Sequence, residues 1–217
     1  MGTNACHDLG IKAVAVTAGY MCPEPRGELY RHIDAANVDL KAFTEDFYRK
    51  VCVGHLHDVL DTLVYLRHET KVWLEITTLL IPGRNDSDAE IAAECAWIRD
   101  NLSIDIPMHF TAFHPDYKMT DTPPTPPATL IRARQIGIGE GLRYVYTGNV
   151  HDTTGGTTFC PSCAEALVVR DWHRIEDYRL TPEGKCPGCG TAIPGRFELF
   201  DKRRQFGRKR IAVRIEA

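Results

Sequence analysis

Short β-rich runs alternate with amphipathic helical runs along most of this chain, and this alternation restricts the fold more than any other feature. The first run, IKAVAVT at residues 11–17, ends in the turn residues of AGYMCPEP, and a helix is predicted from Glu24 to about Ile33. Strands joined by crossover helices lie parallel in one sheet. The sequence therefore predicts an α/β fold with a parallel sheet. The later strands are predicted at residues 37–43, 71–81, 106–114 and 142–147.

Capping residues mark the starts of three predicted helices. Thr44 precedes the helical run EDFYRKV, and the SDAE of Ser87 to Glu90 fits a capping box. Further along, Thr125 is the predicted N-cap of a helix with Pro126 at its first position, where a missing N–H is tolerated. These signals place one helix start after each of the second, third and fourth strands.

The composition is that of a globular protein that can bury a core, with 43% hydrophobic and 25% charged residues. A formal net charge of −3 argues against nucleic-acid binding by the whole chain, because such binding depends on clustered positive charge. No apolar run approaches the roughly 20 residues of a membrane helix, and the first residues do not resemble a secretory signal. The expectation is a cytoplasmic protein without a membrane partner.

Cysteine usage agrees with a reducing compartment. Four of the eight cysteines stand singly among apolar residues and are expected to be reduced and mostly buried. These four are Cys6, Cys22, Cys52 and Cys95.

The other four cysteines form two CxxC pairs, CPSC and CPGCG. The two thiolates of a CxxC turn can converge on one ion, and two such turns give a tetrahedral four-thiolate site. The intervening segment, LVVRDWHRIEDYRL, can supply the hairpin of a ribbon. Structural zinc is the favoured occupant, with rubredoxin-like iron and a redox dithiol as the alternatives. The predicted ligands are Cys160, Cys163, Cys186 and Cys189.

Two opposite charges stand in the second predicted strand, NVDLKAF. Asp39 and Lys41 are two residues apart and therefore project from the same face. Parallel strands covered on both faces normally read as near-continuous apolar runs, and an uncompensated charge there costs several kcal/mol, about 3–5. In α/β folds, sites lie at the carboxyl ends of strands, where polar residues are tolerated. The pair therefore indicates a site, with a water-facing ion pair on an edge strand as the alternative.

Other polar residues occupy matching positions in the third and fourth strands. They are Glu75 and Thr77 in the third strand and His109 and Thr111 in the fourth. His114 follows at the exit of the fourth strand, just before Pro115. These positions extend the predicted site across the sheet.

Several segments together carry a family resemblance. VTAGYM…PEP, DAANVDLKAF, TTLLIPGRNDSD, HFTAFHPDYKM…PPTP, GLRYVYTGNV and FCPSC…CPGCG occur in the order found in one family. The sequence resembles the radical S-adenosylmethionine enzymes of the AmmeMemoRadiSam system, relatives of the pyruvate formate-lyase activating enzymes. The resemblance extends from about Leu9 to Gly195.

The resemblance implies a partial (β/α) barrel with a 4Fe-4S cluster and S-adenosylmethionine at the carboxyl ends of its strands. Residues 1–150 are then the C-terminal part of that barrel, residues 151–195 a four-cysteine zinc ribbon, and residues 196–217 a basic C-terminal tail. No catalytic residue is assigned.

Three cofactor-binding residues are also implied by the resemblance. Asp39 and Lys41 match the Asp and Lys of the family's DLK strand, and His114 matches the His of a PFH-like stretch. A carboxylate can accept hydrogen bonds from ribose hydroxyls or the methionine ammonium, and a lysine can pair with the methionine carboxylate.

The sequence also departs from the family pattern. The CxxxCxxC cluster motif and the glycine-rich and NEP-like segments that precede this region in the family are not present, and Ala18 stands where the family has Asn. The expectation is that the chain corresponds to the C-terminal half of a family member. Without its N-terminal half and the cluster ligands, this chain alone is expected to be inactive.

Two functions are therefore weighed. The first is a radical S-adenosylmethionine enzyme of the activating-enzyme type, whose implied partners are Memo-like and AMMECR-like proteins. The second is a zinc-ribbon module that binds nucleic acid or protein, with the α/β part as its scaffold and the basic tail as either a contact or a solvated end. A hydrolase lacks support, because neither GxSxG nor HExxH occurs.

Overall fold

Five parallel strands form one sheet in the computed structural model, which describes residues 6–197. The strands follow chain order across the sheet and are β1 (Val14–Thr17), β2 (Ala35–Asp39), β3 (Trp73–Leu80), β4 (Met108–Ala112) and β5 (Val145–Gly148). The helices are α1 (Pro23–Tyr30), α2 (Glu45–Phe47), α3 (Leu56–Glu69), α4 (Asp88–Asn101), α5 (Pro127–Gly139) and α6 (Thr153–Gly156). The predicted α/β fold with a parallel sheet is confirmed.

Two of the three predicted helix caps are confirmed. The Thr44 hydroxyl accepts a hydrogen bond from Phe47 N at 3.4 Å, and the Ser87 hydroxyl accepts one from Glu90 N at 3.3 Å. The prediction for Thr125 was wrong, because α5 starts after Pro126. The Thr125 hydroxyl instead lies buried between strand ends, where it accepts from Phe113 N at 3.0 Å.

Buried and half-exposed residues alternate along the strands of the large sheet. In β3 every second residue is buried, from Leu74 through Ile76 to Leu80, and these residues share one core cluster with residues of α3, α4 and α5. The helices therefore cover one face, which we call the covered face. The other, the open face, carries Asp39, Glu75 and their neighbours of the same parity, which are half-buried.

The strand β1 lies at one edge of the sheet. Its residues Val14 and Val16 are 61% and 77% exposed, and both belong to the open face by their register with β2. Within residues 6–197 no strand pairs with the outer side of β1, so this edge combines exposed apolar side chains with backbone groups that another strand can join.

The four single cysteines differ in burial. Only Cys95 is buried, whereas Cys22 and Cys52 are exposed and Cys6 is intermediate, so the expectation that they are mostly buried was wrong. Among residues 6–197 no cysteine forms a disulfide.

A second, antiparallel sheet follows the first. It consists of β6 (Thr158–Phe159), β7 (Ala166–Asp171) and β8 (Arg174–Tyr178), and β7 and β8 form the predicted hairpin. It has its own small core, made of Tyr144, Cys160, Leu167, Val168, Leu180, Cys186 and Ile193. The basic tail predicted for residues 196–217 lies outside the described residues from position 198 onward. Across the part of the chain described, none of the helices has the length and apolar character needed to span a membrane.

Candidate functional site

The Asp39–Lys41 pair lies at the carboxyl end of β2 on the open face. Lys41 Nζ and Asp39 Oδ2 are 2.6 Å apart, and the two side chains are 38% and 29% exposed. An ion pair that water can reach contributes at most about 1 kcal/mol to stability. Folding therefore gains little from these charges, and both groups remain accessible to a ligand.

His114 is exposed and follows the end of β4. β3 lies between β2 and β4, so the two strand ends are two inter-strand spacings apart, about 4.8 Å each. Among the described contacts, no hydrogen bond or ion pair joins His114 to Asp39 or Lys41. The structure thus brings Asp39 and Lys41 together and leaves His114 separate from them.

A buried carboxyl lies beneath the same strand end, on the covered face. Glu94 of α4 is 2% exposed, and its Oε1 lies 2.5 Å from the Thr78 hydroxyl, which also lies 2.7 Å from the Leu40 carbonyl oxygen. A hydroxyl has one hydrogen and a carbonyl only accepts, so Thr78 donates to Leu40 and Glu94 must donate to Thr78. Burial raises the pKa of Glu94 to about 8, consistent with this protonated form.

A polar network on the open face involves residues from β3, β4 and β5. Glu75 accepts hydrogen bonds from His109 Nε2 at 2.8 Å and from Trp73 Nε1 at 2.9 Å. The His109 ring stacks on Tyr146 with centroids 5.1 Å apart. Burial raises the pKa of Glu75, but the hydrogen bond and charge supplied by His109 outweigh it, so that the pKa lies below its ordinary value.

A cavity of the described residues lies away from the Asp39–Lys41 pair. Its volume is about 920 Å³, and it is lined by the first residues of three strands, Val14, Ala35 and Trp73. Arg170 of β7 also lines this cavity. Asp39, Lys41 and His114 do not line it. We place the candidate site at the carboxyl end of β2, because in α/β folds ligands bind outside the carboxyl ends of the strands and the Asp39–Lys41 pair lies there.

The four predicted metal ligands converge. The sulfur atoms of Cys160, Cys163, Cys186 and Cys189 all lie within 4.8 Å of one another. The Cys160–Cys189 and Cys163–Cys186 pairs are 3.5 and 3.6 Å apart. Zn–S bonds of about 2.3 Å in a tetrahedron require sulfur atoms about 3.8 Å apart, so the arrangement fits one ion. Zinc and iron both accept this geometry.

The two CxxC turns have the same backbone hydrogen bonds. Ala164 N donates to Cys160 O, and Gly190 N donates to Cys186 O, each at 2.9 Å. The φ angles of Ala164 and Gly190 are 61° and 75°, in the left-handed region that favours glycine. The first turn therefore adopts this conformation with an alanine where the second has a glycine, which indicates that the surrounding site imposes it.

Sequence reasoning missed the side chains that hold the end of β2. Tyr48 and Asn85 both bond the backbone of Lys41, although neither was selected from the sequence. Asn85 lies in the segment IPGRND, which carries part of the family resemblance, but no local pattern in the sequence indicates these contacts. Tyr146 and Arg170 were likewise missed, because nothing local relates them to Glu75 and His109.

Comparison with known proteins identifies a sequence relative and solved structures with the same fold. No protein-family model matches the sequence. The chain is 42% identical over 185 residues to an uncharacterized protein of Methanocaldococcus jannaschii, and the match covers 85% of this chain and 54% of that protein. The chain thus spans about half the length of the relative that it matches.

Two solved structures share the fold at 17% identity each. A domain of the pyruvate-formate lyase-activating enzyme from Bacteroides vulgatus aligns with a TM-score of 0.58 over 68% of this chain and 87% of that one. A radical SAM methyltransferase from Sphaerobacter thermophilus aligns with a TM-score of 0.50 over 65% of this chain and 43% of that one. The chain therefore has the parallel-sheet fold of the radical SAM partial barrels, with a four-cysteine cluster near its C-terminus.

Proposed function

We propose that this chain is part of a radical S-adenosylmethionine enzyme of the activating-enzyme type. The observation that carries the proposal is the Asp39–Lys41 pair, which lies on the open face at the carboxyl end of β2 in a fold that these enzymes share. In this proposal Asp39 accepts hydrogen bonds from the ribose hydroxyls or the methionine ammonium, and Lys41 pairs with the methionine carboxylate. His114 binds the same molecule from the end of β4.

The 4Fe-4S cluster of this proposal requires ligands from outside the chain. The four-cysteine group is the one metal-ligating group found within residues 6–197, and its closed arrangement suits a single ion. When bound, S-adenosylmethionine and a reduced cluster supply radical chemistry, whereas the residues described here bind and orient the nucleoside. We therefore propose that this chain is inactive alone and needs an N-terminal half with a CxxxCxxC motif.

Binding of S-adenosylmethionine to the purified chain, measured by isothermal titration calorimetry, tests the proposal. Asp39→Ala and Lys41→Ala should each weaken binding by about 1–3 kcal/mol, because each removes a charged hydrogen-bonding partner. The matched control is the exposed Asp46–Lys50 pair, which has Nζ–Oδ1 at 2.8 Å and lies on a helical surface. Asp46→Ala and Lys50→Ala should leave the affinity unchanged. Equal affinities in all four variants would reject the cofactor site.

The four-cysteine group is proposed to hold structural zinc. Metal analysis of purified protein should return about one zinc per chain, and Cys163→Ser should abolish it, because a closed site needs all four thiolates. Iron with a visible charge-transfer band would replace this assignment with a rubredoxin-like one.

The resemblance also makes Memo-like and AMMECR-like proteins the proposed partners of this enzyme. Co-purification of the chain with either protein, produced from the same genome, tests this. Separate elution of all components in size-exclusion chromatography would contradict the partnership.

A binding module is the second candidate, and one observation favours it. Three apolar side chains of the β7–β8 hairpin, Trp172, Ile175 and Tyr178, are 47%, 41% and 38% exposed. Exposed aromatic residues of this kind are common at sites of protein contact. The DNA upstream of the Met1 codon separates the two candidates, since an in-frame CxxxCxxC favours the enzyme and a stop codon favours the module.

A further inference from the structure

The backbone after β2 is held by side chains and not by a neighbouring strand. Pairing of β2 with β3 ends at Asp39 and Thr77, whereas β3 itself continues to Leu80. Residues 40–43, which we call the exit segment, therefore leave the sheet while still carrying Lys41. Backbone groups that leave a ladder need other partners, because an unpaired buried group costs about 1–3 kcal/mol.

Four side chains from other elements supply these partners, and we call them the clamp. Thr78 donates to Leu40 O at 2.7 Å, and Tyr48 OH accepts from Lys41 N at 3.0 Å. Asn85 Nδ2 donates to Lys41 O at 2.8 Å, and Glu90 Oε1 accepts from Phe43 N at 2.8 Å. The clamp consists of Tyr48, Thr78, Asn85 and Glu90.

Asn85 occupies the central place in the clamp. It is 2% exposed, and its Nδ2 also donates to Leu79 O at 2.9 Å while its Oδ1 accepts from Ile81 N at 2.7 Å. Both amide hydrogens are thus used, one on the exit segment and one on the end of β3. A single rigid amide therefore sets the distance between the carboxyl ends of two neighbouring strands.

Tyr48 approaches the exit segment through an irregular helix. Residues 48–52 form a π-helical turn that follows α2 directly, and Val53 ends it with a φ of 55°. Such turns are rare, and they are frequent at functional sites because they redirect one side chain. Here the turn begins at the residue whose hydroxyl bonds Lys41 N.

We propose that the clamp, with Asn85 at its centre, is a positioning device that sets Lys41 and Asp39 for their ligand. This inference rests on the proposed function, because the ligand is S-adenosylmethionine. Asn85 is a positioning residue and acts through the backbone of Lys41. Displacement of a binding group by about 1 Å can cost as much as 10²-fold, so a strand end without ladder bonds needs such a device.

The test compares two isosteric exchanges at adjacent positions. Asn85→Asp keeps the size of the side chain and removes both donors, which leaves the Lys41 and Leu79 carbonyls facing a carboxyl group. The control is Asp86→Asn, since Asp86 Oδ1 accepts from Gly83 N within the same loop and an amide oxygen can do the same. Tyr48→Phe is a second, milder variant that removes the acceptor of Lys41 N and keeps the ring.

The first measurement is amide hydrogen exchange by NMR, which needs no ligand. Asn85→Asp and Tyr48→Phe should each speed exchange at Lys41 and Phe43 by about five-fold, because loss of one hydrogen bond is worth about 1 kcal/mol. Amides of Ala133 in α5 should exchange at the wild-type rate in both. Unchanged exchange at Lys41 and Phe43 in Tyr48→Phe overturns the inference, even if Asn85→Asp fails to fold.

The second measurement is a double-mutant cycle on S-adenosylmethionine affinity. Asn85→Asp should weaken binding about ten-fold in the wild-type chain and less than about two-fold in Lys41→Ala, since its effect passes through Lys41. Equal losses in both backgrounds indicate a general structural effect and overturn the inference.

The two proposals can fail separately. If the wild-type chain does not bind S-adenosylmethionine, the proposed function fails, and hydrogen exchange then decides whether the clamp holds the exit segment. If Lys41→Ala weakens binding and Asn85→Asp does not, the clamp inference fails alone.

Discussion

The two faces of the five-stranded sheet are built by the same strands and differ in almost every physical property. On the covered face Val38, Ile76 and Met108 are fully buried in one core with the helices. On the open face Asp39 and His109, each next in sequence to one of these, carry polar groups that remain partly exposed. Because side chains alternate along a strand, a step of one residue separates the part that holds the fold together from the part whose polar groups remain accessible.

The two faces also differ in how they shift the pKa of a glutamate carboxyl group. The pKa of Glu94, on the covered side, is raised by burial with only a hydroxyl as its partner. Burial acts on Glu75 in the same direction, but the hydrogen bonds and charge of its partners, led by His109, outweigh it and lower the pKa. The lesson is that the partner, and not burial alone, decides the charge of a carboxyl group in this sheet.

The largest expected difference between the faces is in stability. Ile76→Ala should lower the free energy of unfolding by roughly 2–5 kcal/mol, because it leaves a cavity among fully buried side chains. Its neighbour on the open face supplies the control, and Thr77→Ala should cost less than about 1 kcal/mol. Urea denaturation measures both. Similar losses for the two variants would show that the open face is also part of the folding core.

The pH dependence of stability should come partly from Glu94. In the unfolded chain this carboxyl ionises near its ordinary pKa of 4.5, whereas in the folded chain it stays protonated to about 8. Its contribution to stability is therefore complete in acid and falls as the pH rises from 4.5 to about 8, by about 1.4 kcal/mol per pH unit.

Glu94→Gln tests this contribution, since an amide can still donate to Thr78 but does not ionise. Urea denaturation at a series of pH values should show a flatter dependence above pH 4.5 in the variant. Identical slopes for variant and wild type would show that Glu94 is charged in the folded protein.

The contribution of Glu75 to stability should change with pH in the opposite direction to that of Glu94. Its lowered pKa means that the stability it contributes is present above pH 4.5 and is lost as the pH falls through the folded pKa. His109→Ala should raise the pKa of Glu75, because burial remains and the opposing partner is gone. Titration of the labelled carboxyl carbon by NMR measures this. The control is His151→Ala, which removes an exposed imidazole 3.0 Å from Asp171 and should leave Glu75 unchanged.

The smallest expected effect on stability is that of the charged pair itself. Asp39→Asn should change the free energy of unfolding by less than about 1 kcal/mol, because water reaches both partners. Thermal denaturation measures it beside Asp46→Asn, the exposed control. A loss of several kcal/mol would place Asp39 among the residues that hold the fold and weaken its role as a ligand contact.

Much of the architecture could be predicted because its signals are local. Strand–helix alternation predicted the parallel sheet, and residue parity predicted that Asp39 and Lys41 lie side by side, although β2 ends at Asp39 and Lys41 lies beyond it. The capping hydroxyls of Thr44 and Ser87 were also identified, since each bonds a backbone N–H within its own helix turn. The predicted cap at Thr125 was wrong because its hydroxyl has distant partners. Its hydroxyl bonds Leu80 O and Phe113 N in two other strand exits, which no local pattern reveals.

The capping box at α4 shows how tertiary contacts displace a local one. Ser87 caps Glu90 N as predicted, but the Glu90 carboxylate bonds Phe43 N instead of returning to Ser87. A motif read from four residues could not include a backbone group on another strand exit. For the same reason the role of Asn85 could not be predicted, because its partners Lys41, Leu79 and Ile81 belong to two different strand exits.

What the sequence by itself determined is the order of the elements, the alternation within each strand and the pairing of the CxxC turns, because these depend on spacing along the chain. Only the tertiary structure decided which face the helices cover, which glutamate meets an imidazole and which meets a hydroxyl, and which side chains hold the end of β2. Those outcomes depend on contacts between residues far apart in sequence, and periodicity carries no information about such contacts.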